Sequence, residues 1–192
     1  MRKLVVSEFV SVDGVMEDPG GAEGFDRGGW AFRYERGPEG DKFKLDEVLE
    51  AGALLLGRVT YQGFAAAWPT MTDEVGFADK MNSMPKFVVS TTLDKAQWNN
   101  SSLIKDDVAA AVSALKQQPG GPILVAGSGQ LARTLMGHGL VDEYRLMVYP
   151  VVLGSGKRLF GETGDVTALR LTGTKTVGSG ILILTYEAAS AA

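Results

Sequence analysis

The sequence predicts an α/β fold built on a mixed, mostly parallel central sheet, with helices on both faces and an antiparallel hairpin at its C-terminal end. Three observations predict it. Short apolar, strand-like segments alternate with helix-like ones as far as Gly139. Beyond that point, residues 143–149 and 169–177 read as strands with no long helix between them. Gly178-Ser179-Gly180 then joins Thr176-Val177 to Ile181-Leu182-Ile183-Leu184, which is a hairpin signal. With 192 residues, 45% of them hydrophobic, the chain is sized for one core. A single domain over residues 1–187 is expected, with an Ala-rich tail at 188–192.

Residues 3–10, rich in Val and Phe, read as a buried first strand that gives way to the turn-forming Asp13-Gly14. A glycine-rich loop at about 18–40 carries Trp30, Phe32 and Tyr34; its length and its three aromatics predict a lid that packs on something. Residues 41–52 place Leu45, Val48 and Leu49 at the i, i+3, i+4 spacing of an amphipathic helix that Gly52 ends. Ala53-Leu54-Leu55-Leu56 is a short buried strand, Gly57-Arg58 its exit turn, and 59–66 the next helix. A strand at 86–90 precedes a helix at 106–118, with Val108, Ala111, Val112 and Leu115 on one face and Pro119-Gly120-Gly121 as its stop. A strand at 122–126 and a short helix at 130–136 complete the alternating part.

Composition narrows the chemistry. There are no cysteines, which removes disulfides, thiol nucleophiles and thiolate zinc sites. The single histidine, His138, excludes a multi-histidine metal site and a Ser-His-Asp triad, and its place between two glycines at a helix end reads as a cap. No metal ligation is expected. A net charge of −4, from 19 basic and 23 acidic residues, offers no basic stripe for nucleic acid, so the expected partner is a small molecule. No run reaches the length of a membrane span and the N-terminus lacks a signal-peptide pattern, so the expected compartment is the cytoplasm.

Three strand exits draw attention. Gly127-Ser128-Gly129-Gln130 lies between an apolar strand and a helix, where backbone amides point at an anion; a tight structural turn is the other reading. Gly57-Arg58-Val59-Thr60 repeats the arrangement and adds a guanidinium fork and a hydroxyl, against the reading of Arg58 as a solvated surface residue. Ser90-Thr91-Thr92 offers hydroxyls to a ribose or phosphate, or forms an ST-turn. Ligands of open α/β sheets collect at the carboxyl ends of strands, so three such exits strengthen one another. A Walker loop does not fit, because Gly154-Ser155-Gly156-Lys157-Arg158 lacks the upstream glycine and the following Ser or Thr.

In order, Ser11-Val12-Asp13-Gly14, Leu55-Leu56-Gly57-Arg58-Val59-Thr60-Tyr61, Lys86-Phe87-Val88-Val89-Ser90, Gly127-Ser128-Gly129, Leu140-Val141-Asp142-Glu143-Tyr144 and Pro150-Val151-Val152-Leu153-Gly154-Ser155-Gly156 span nearly the whole chain. This pattern resembles the dihydrofolate-reductase-like superfamily, and within it the reductase domain at the C-terminus of the bifunctional riboflavin-biosynthesis deaminase-reductase. The resemblance implies a dihydrofolate-reductase-like three-layer fold that binds NADPH, with Gly57, Arg58 and Thr60 at the cofactor phosphates, Ser90 and Thr91 near the adenosine, and Gly127, Ser128, Gly129 and Gln130 at the pyrophosphate. It implies hydride transfer to a C=N or C=O group, with Asp13, Gly14, Val15 and Met16 bordering nicotinamide and substrate. Counting back from the Gly57-Arg58 turn sets Asp41 where folate reductases hold a substrate-orienting carboxylate. Asp13 also reads as a turn aspartate and Asp41 as a helix-start cap. By analogy with the riboflavin branch a homodimer is expected.

Trp30, in the long loop, is the substrate-side aromatic candidate, set against core packing, the usual role of Trp30, Trp68 and Trp98. Asp142 and Glu143 open a strand, and Lys157-Arg158 forms a basic loop or plain surface. No acid stands out, so proton delivery from water is expected. Three readings follow: an NADPH-dependent reductase, a ligand-binding module on the same scaffold, and a Rossmann-type dehydrogenase.

Overall fold

The computed structural model describes residues 1–161 and 166–189. Its frame is one eight-stranded sheet. Five strands come first, with helices between all of them except β3 and β4: β1 (Leu4–Ser11), α1 (Gly37–Glu50), β2 (Ala53–Gly57), α2 (Arg58–Ala67), α3 (Phe77–Ser83), β3 (Lys86–Val89), β4 (Ser101–Ile104), α4 (Val108–Gln117), β5 (Ile123–Ala126) and α5 (Gly129–Gly137). Then β6 (Glu143–Tyr149), β7 (Leu169–Val177) and β8 (Ile181–Ala188) follow, with no helix between them among the described residues. The spatial order is β4-β3-β2-β5-β1-β6-β8-β7. All pairings from β4 to β6 are parallel, and β6–β8 and β7–β8 are antiparallel. This order, with antiparallel strands closing the sheet, removes the Rossmann dehydrogenase reading.

The period-2 alternation of the strands divides the core. Val5, Leu54, Leu56 and Val88 meet Val48 of α1, Tyr61 of α2 and Met81 of α3 on one face. Leu4, Val6, Leu55 and Val125 meet Val112 and Leu115 of α4 and Leu131 and Leu135 of α5 on the other. A third cluster of Val15, Trp30, Tyr149, Leu153, Val177 and Ile181 fills the space under the long loop.

Several boundaries shift for identifiable reasons. α1 starts at Gly37, with Pro38 in its first turn, so Asp41 lies inside the helix and caps nothing. Its buried residues include Glu47 and Val48, while Leu49 is exposed. The loop at 18–40 is organised by Asp18, whose carboxylate accepts from Glu23 and Phe25 N–H and whose carbonyl accepts from Gly21 and Gly29 N–H. α3 and β4 were not expected. The first is short and started by Asp73, which accepts from the amides of Val75, Phe77 and Ala78. The second is an edge strand of sequence Ser-Ser-Leu-Ile with no apolar alternation to betray it. Ala188, expected in the tail, closes β8, and residues 190–192 lie outside the described residues.

Candidate functional site

The sheet opens at the carboxyl end of β1. β1 pairs with β5 only as far as Ser7–Ala126, but with β6 as far as Ser11–Tyr149. Above Ser7 the chain of β5 turns away through Gly127 and leaves a crevice between two parallel strands, the usual ligand position in open α/β sheets.

Gly127 and Ser128 lie in succession in the left-handed region, at φ +58° and +59°. The glycine is required by space as well as by φ: a Cβ on it would stand 2.9 Å from both Cγ2 and Oγ1 of Thr60. Ser128 N–H donates to Thr60 Oγ1 at 2.9 Å, and Gly57 N–H donates to Ser128 Oγ at 2.9 Å. The exits of the adjacent strands β2 and β5 are thereby stitched together. The Ser128 hydroxyl donates to Ala126 carbonyl and does not cap α5. The N–H groups of Gly129, Gln130 and Leu131, in the first turn of α5, have no intrahelical acceptor. α2 likewise starts at Gly57 without a side-chain cap. Each helix start carries about half a positive charge, and the two lie side by side. Arg58, exposed on the first turn of α2, donates to Gln62 of the same helix at 3.1 Å. This donor set, a cradle of backbone amides with an exposed guanidinium beside it, fits phosphate groups.

Other expected site residues do different work. Ser90 is buried and its hydroxyl accepts from Thr92 and Leu93 N–H, an ST-turn that leaves Thr91 exposed beside it. Asp13 is a latch: its carboxylate accepts from Ser11 Oγ at 2.7 Å, Leu153 N–H at 3.0 Å and Gly154 N–H at 2.8 Å. The Ser11 bond and then the two amides hold its pKa down at about 2, which keeps it ionised at neutral pH. Gly14, at φ +79°, makes the turn that carries the chain from β1 to Met16. Met16 is buried, and its sulfur lies 2.8 Å from where a Cβ on Gly129 would be.

Trp30 packs in the cluster under the long loop. It is 1% exposed, its indole donates to Glu17 carbonyl at 2.9 Å, and its ring meets Tyr149 edge to face at 5.4 Å. An amphipathic indole that finds a buried acceptor belongs in a core. Trp98 is buried and donates to Asn82, and Trp68 stacks on Phe77. Asp41 is exposed and pairs with Arg36 at 3.0 Å. Asp142 accepts from Leu4 N–H and Lys116, and Glu143 pairs with Lys3 and Arg145, so that pair fastens the start of β6. Beside α5 an open cleft of about 500 Å³ is lined by Arg133, Lys157, Arg158 and Phe160. Arg133 and Arg158 reach the carbonyls of Arg158 and Asp13, and Lys157 pairs with Glu17 at 2.6 Å.

One residue escaped the sequence reading. Glu8 sits on β1 at the mouth of the crevice, 4% exposed, with Oε2 accepting from Gly127 N–H at 3.0 Å. Burial pushes its pKa well above the usual carboxylate range; Lys44 and the Gly127 amide pull it back and Glu47 adds to the rise. The available signal was an acidic residue at the apolar phase of a strand, between Val6 and Val10. Among the described residues no cluster of His, Asp or Glu is suited to a metal ion.

The fold matches solved structures across its whole length. A putative riboflavin biosynthesis protein from Shewanella sp. PV-4 superposes with a TM-score of 0.78 at 20% identity, covering 98% of this chain and 99% of that one. Dihydrofolate reductase from Enterococcus faecalis, complexed with NADP(H), superposes with a TM-score of 0.57 at 13% identity, covering 98% and 97%. The fold is therefore dihydrofolate-reductase-like. Uncharacterized protein YwjB of Bacillus subtilis (strain 168) is 32% identical over 180 residues, 94% of this chain and 95% of its own length. The family model of the RibD C-terminal domain matches residues 2–183, from the first strand to the last, with both glycine turns and the crevice inside the matched span. The chain belongs to the RibD C-terminal domain family.

Proposed function

We propose that the chain is an NADPH-dependent reductase that delivers hydride to a C=N or C=O group of a small heterocyclic, pterin- or pyrimidine-like, or carbonyl substrate. The observation that carries this reading is the stitched pair of helix starts at Gly57 and Gly127-Ser128-Gly129, both without side-chain caps and flanked by an exposed arginine. Gly129, Gln130 and Leu131 amides would hold the pyrophosphate; Arg58 and the Thr60 hydroxyl, whose oxygen already orients Ser128, would meet the remaining phosphate. Thr91 and the Ser90 turn lie at the neighbouring strand exit, on the adenosine side. NADPH would supply the hydride, and the protein would supply orientation and exclude water. Substrate is assigned to the crevice where β1 and β5 part, beside the Asp13–Met16 segment, whose Met16 sulfur lies against Gly129. The family and the fold support a reductase of this kind.

The test is a thermal-shift titration. A nucleotide that binds only the folded chain stabilises it by about 2.7 kcal/mol at a hundred times its Kd. NADPH should raise the melting temperature more than NADH does, and Arg58→Ala should abolish the difference. No response to either nucleotide removes the reading. Following NADPH absorbance against dihydrofolate, a pyrimidinone ribityl or ribosyl phosphate, and simple carbonyls then separates an enzyme from a module that binds without turnover.

A homodimer and a cytoplasmic location are proposed with this reading. Exposed Val12, Phe32 and Val152 supply apolar surface for a second copy, and light scattering of the purified chain tests it. Among the described residues no helix is long and apolar enough to cross a membrane.

A further inference from the structure

The carboxyl of Glu8 is half partnered. Oε2 accepts from Gly127 N–H, while Oε1 is out of solvent and has no hydrogen-bond partner among the described residues. An ionised group there would leave a charged oxygen with neither water nor donor, a penalty of several kcal/mol. A neutral acid instead has a hydrogen on Oε1 and lacks only an acceptor. The charged groups acting on it, Lys44 and Glu47, both come from α1. They largely answer each other: Lys44 pairs directly with Glu47 and with Ser7 Oγ, and Glu47 faces Arg145 at 3.7 Å. Burial then dominates and keeps the Glu8 pKa high. The acid lies where β1 and β5 part, hydrogen-bonded to the first residue of the turn that leads into α5.

We propose that Glu8 is the proton donor of the reduction, its Oε1 hydrogen passing to the nitrogen or oxygen of the bond that takes the hydride. The inference rests on the reductase reading above. In the balanced step the substrate carbon gains a hydride from the dihydronicotinamide, which is oxidised. The π pair of the C=N or C=O bond moves onto the heteroatom and takes the proton from Oε1. Glu8 is left as a carboxylate, held by Gly127 N–H with Lys44 nearby, and recovers its proton from solvent admitted while the crevice opens to release product.

Glu8→Gln tests this, since the amide oxygen still accepts from Gly127 N–H. The infrared spectrum of the nucleotide-free protein should show a protonated-carboxyl C=O stretch at neutral pH that Glu8→Gln lacks. With the substrate that oxidises NADPH, kcat should fall roughly 100-fold or more in Glu8→Gln and its alkaline limb should vanish from the pH profile, while the NADPH thermal shift stays. A missing band, or a Glu8→Gln enzyme within a few fold of wild type with the same pH profile, overturns the proposal. Loss of the NADPH shift in Glu8→Gln makes Glu8 a positioning residue for the turn and overturns it as well. Wild-type protein that ignores NADPH, or turns over no substrate, removes the reductase reading itself, and the band then records a buried neutral acid without that role. If Glu8→Gln fails to fold, the wild-type band, assigned by isotope labelling of glutamate and titrated with pH, decides: an ordinary carboxylate midpoint refutes the donor.

Discussion

Alanine at Gly127 should damage the fold and nucleotide binding together. An L residue at φ +58° costs about 1–2 kcal/mol in this backbone conformation. The added Cβ would stand 2.9 Å from Thr60 Cγ2 and Oγ1, short branched atoms on a helix with no flexible stem to swing aside. Thr60 must shift, and the Ser128 N–H bond to its hydroxyl goes with it, roughly another 0.5–1.5 kcal/mol. The total is about 1.5–3.5 kcal/mol, which in a chain of this size lowers the melting temperature by roughly 3–14 °C. Gly129→Ala is the control. Gly129 has no positive φ, and its new Cβ would first meet the Met16 sulfur at 2.8 Å, the mobile end of a long side chain, so the cost should stay within about 1 kcal/mol. Thermal unfolding with and without NADPH reads both effects. If Gly127→Ala melts with the wild type and keeps its NADPH shift, or if Gly129→Ala is the more damaged protein, the stitched-turn argument is refuted.

Further outcomes follow from the same contacts. Asp13→Ala frees two backbone amides and a hydroxyl that now meet a carboxylate, and should cost about 2–4 kcal/mol by urea unfolding. Because the folded pKa of Asp13 is lowered from 3.8 to about 2, its contribution is complete above the ordinary value and is lost as the pH falls through that window. An Asp13→Asn chain should therefore show a shallower loss of stability between those pH values, and an unchanged slope would count against the latch. Trp30→Ala should cost about 3–5 kcal/mol and Trp30→Phe about 1 kcal/mol for the lost bond to Glu17 carbonyl, both by calorimetry; a Trp30→Ala protein of normal stability with a raised KM would return this ring to the substrate side. Asp41→Asn removes an exposed pair with Arg36 worth about 0–1 kcal/mol, and should leave kcat/KM within about twofold; a tenfold fall would restore an orienting carboxylate on α1.

The parts that sequence made legible are those whose chemistry is local. Ala53-Leu54-Leu55-Leu56 running into Gly57-Arg58, and Ile123–Ala126 running into Gly127-Ser128-Gly129, each contain strand, turn and helix start within a few residues, so propensity and glycine placement suffice to find them. α4 was readable because its apolar residues form one stripe. α1 was blurred because its inner face holds Glu47, whose partners Ser7 and Arg145 come from other strands. α3 and β4 carry too little periodicity in a few residues to separate them from loop.

The substrate side is built in the opposite way, from pairs that only the folded sheet brings together. Asp13 meets Leu153 and Gly154, Met16 meets Gly129, Arg133 meets Arg158, and Glu8 meets Gly127. None of these has a local signature: Asp13 reads as a turn, and Glu8 as an interruption in an apolar strand. A polar group at such a position conflicts with strand burial, and the conflict itself is the usable signal, because folding leaves a buried acid in place only where something offsets its desolvation. At Glu8 the protein offsets half of it, through Gly127, and leaves Oε1 without a partner among the described residues. The same hydrogen bond ties that acid to the turn assigned to the pyrophosphate, so one bond joins the residue proposed to move the proton to the element proposed to hold the hydride donor.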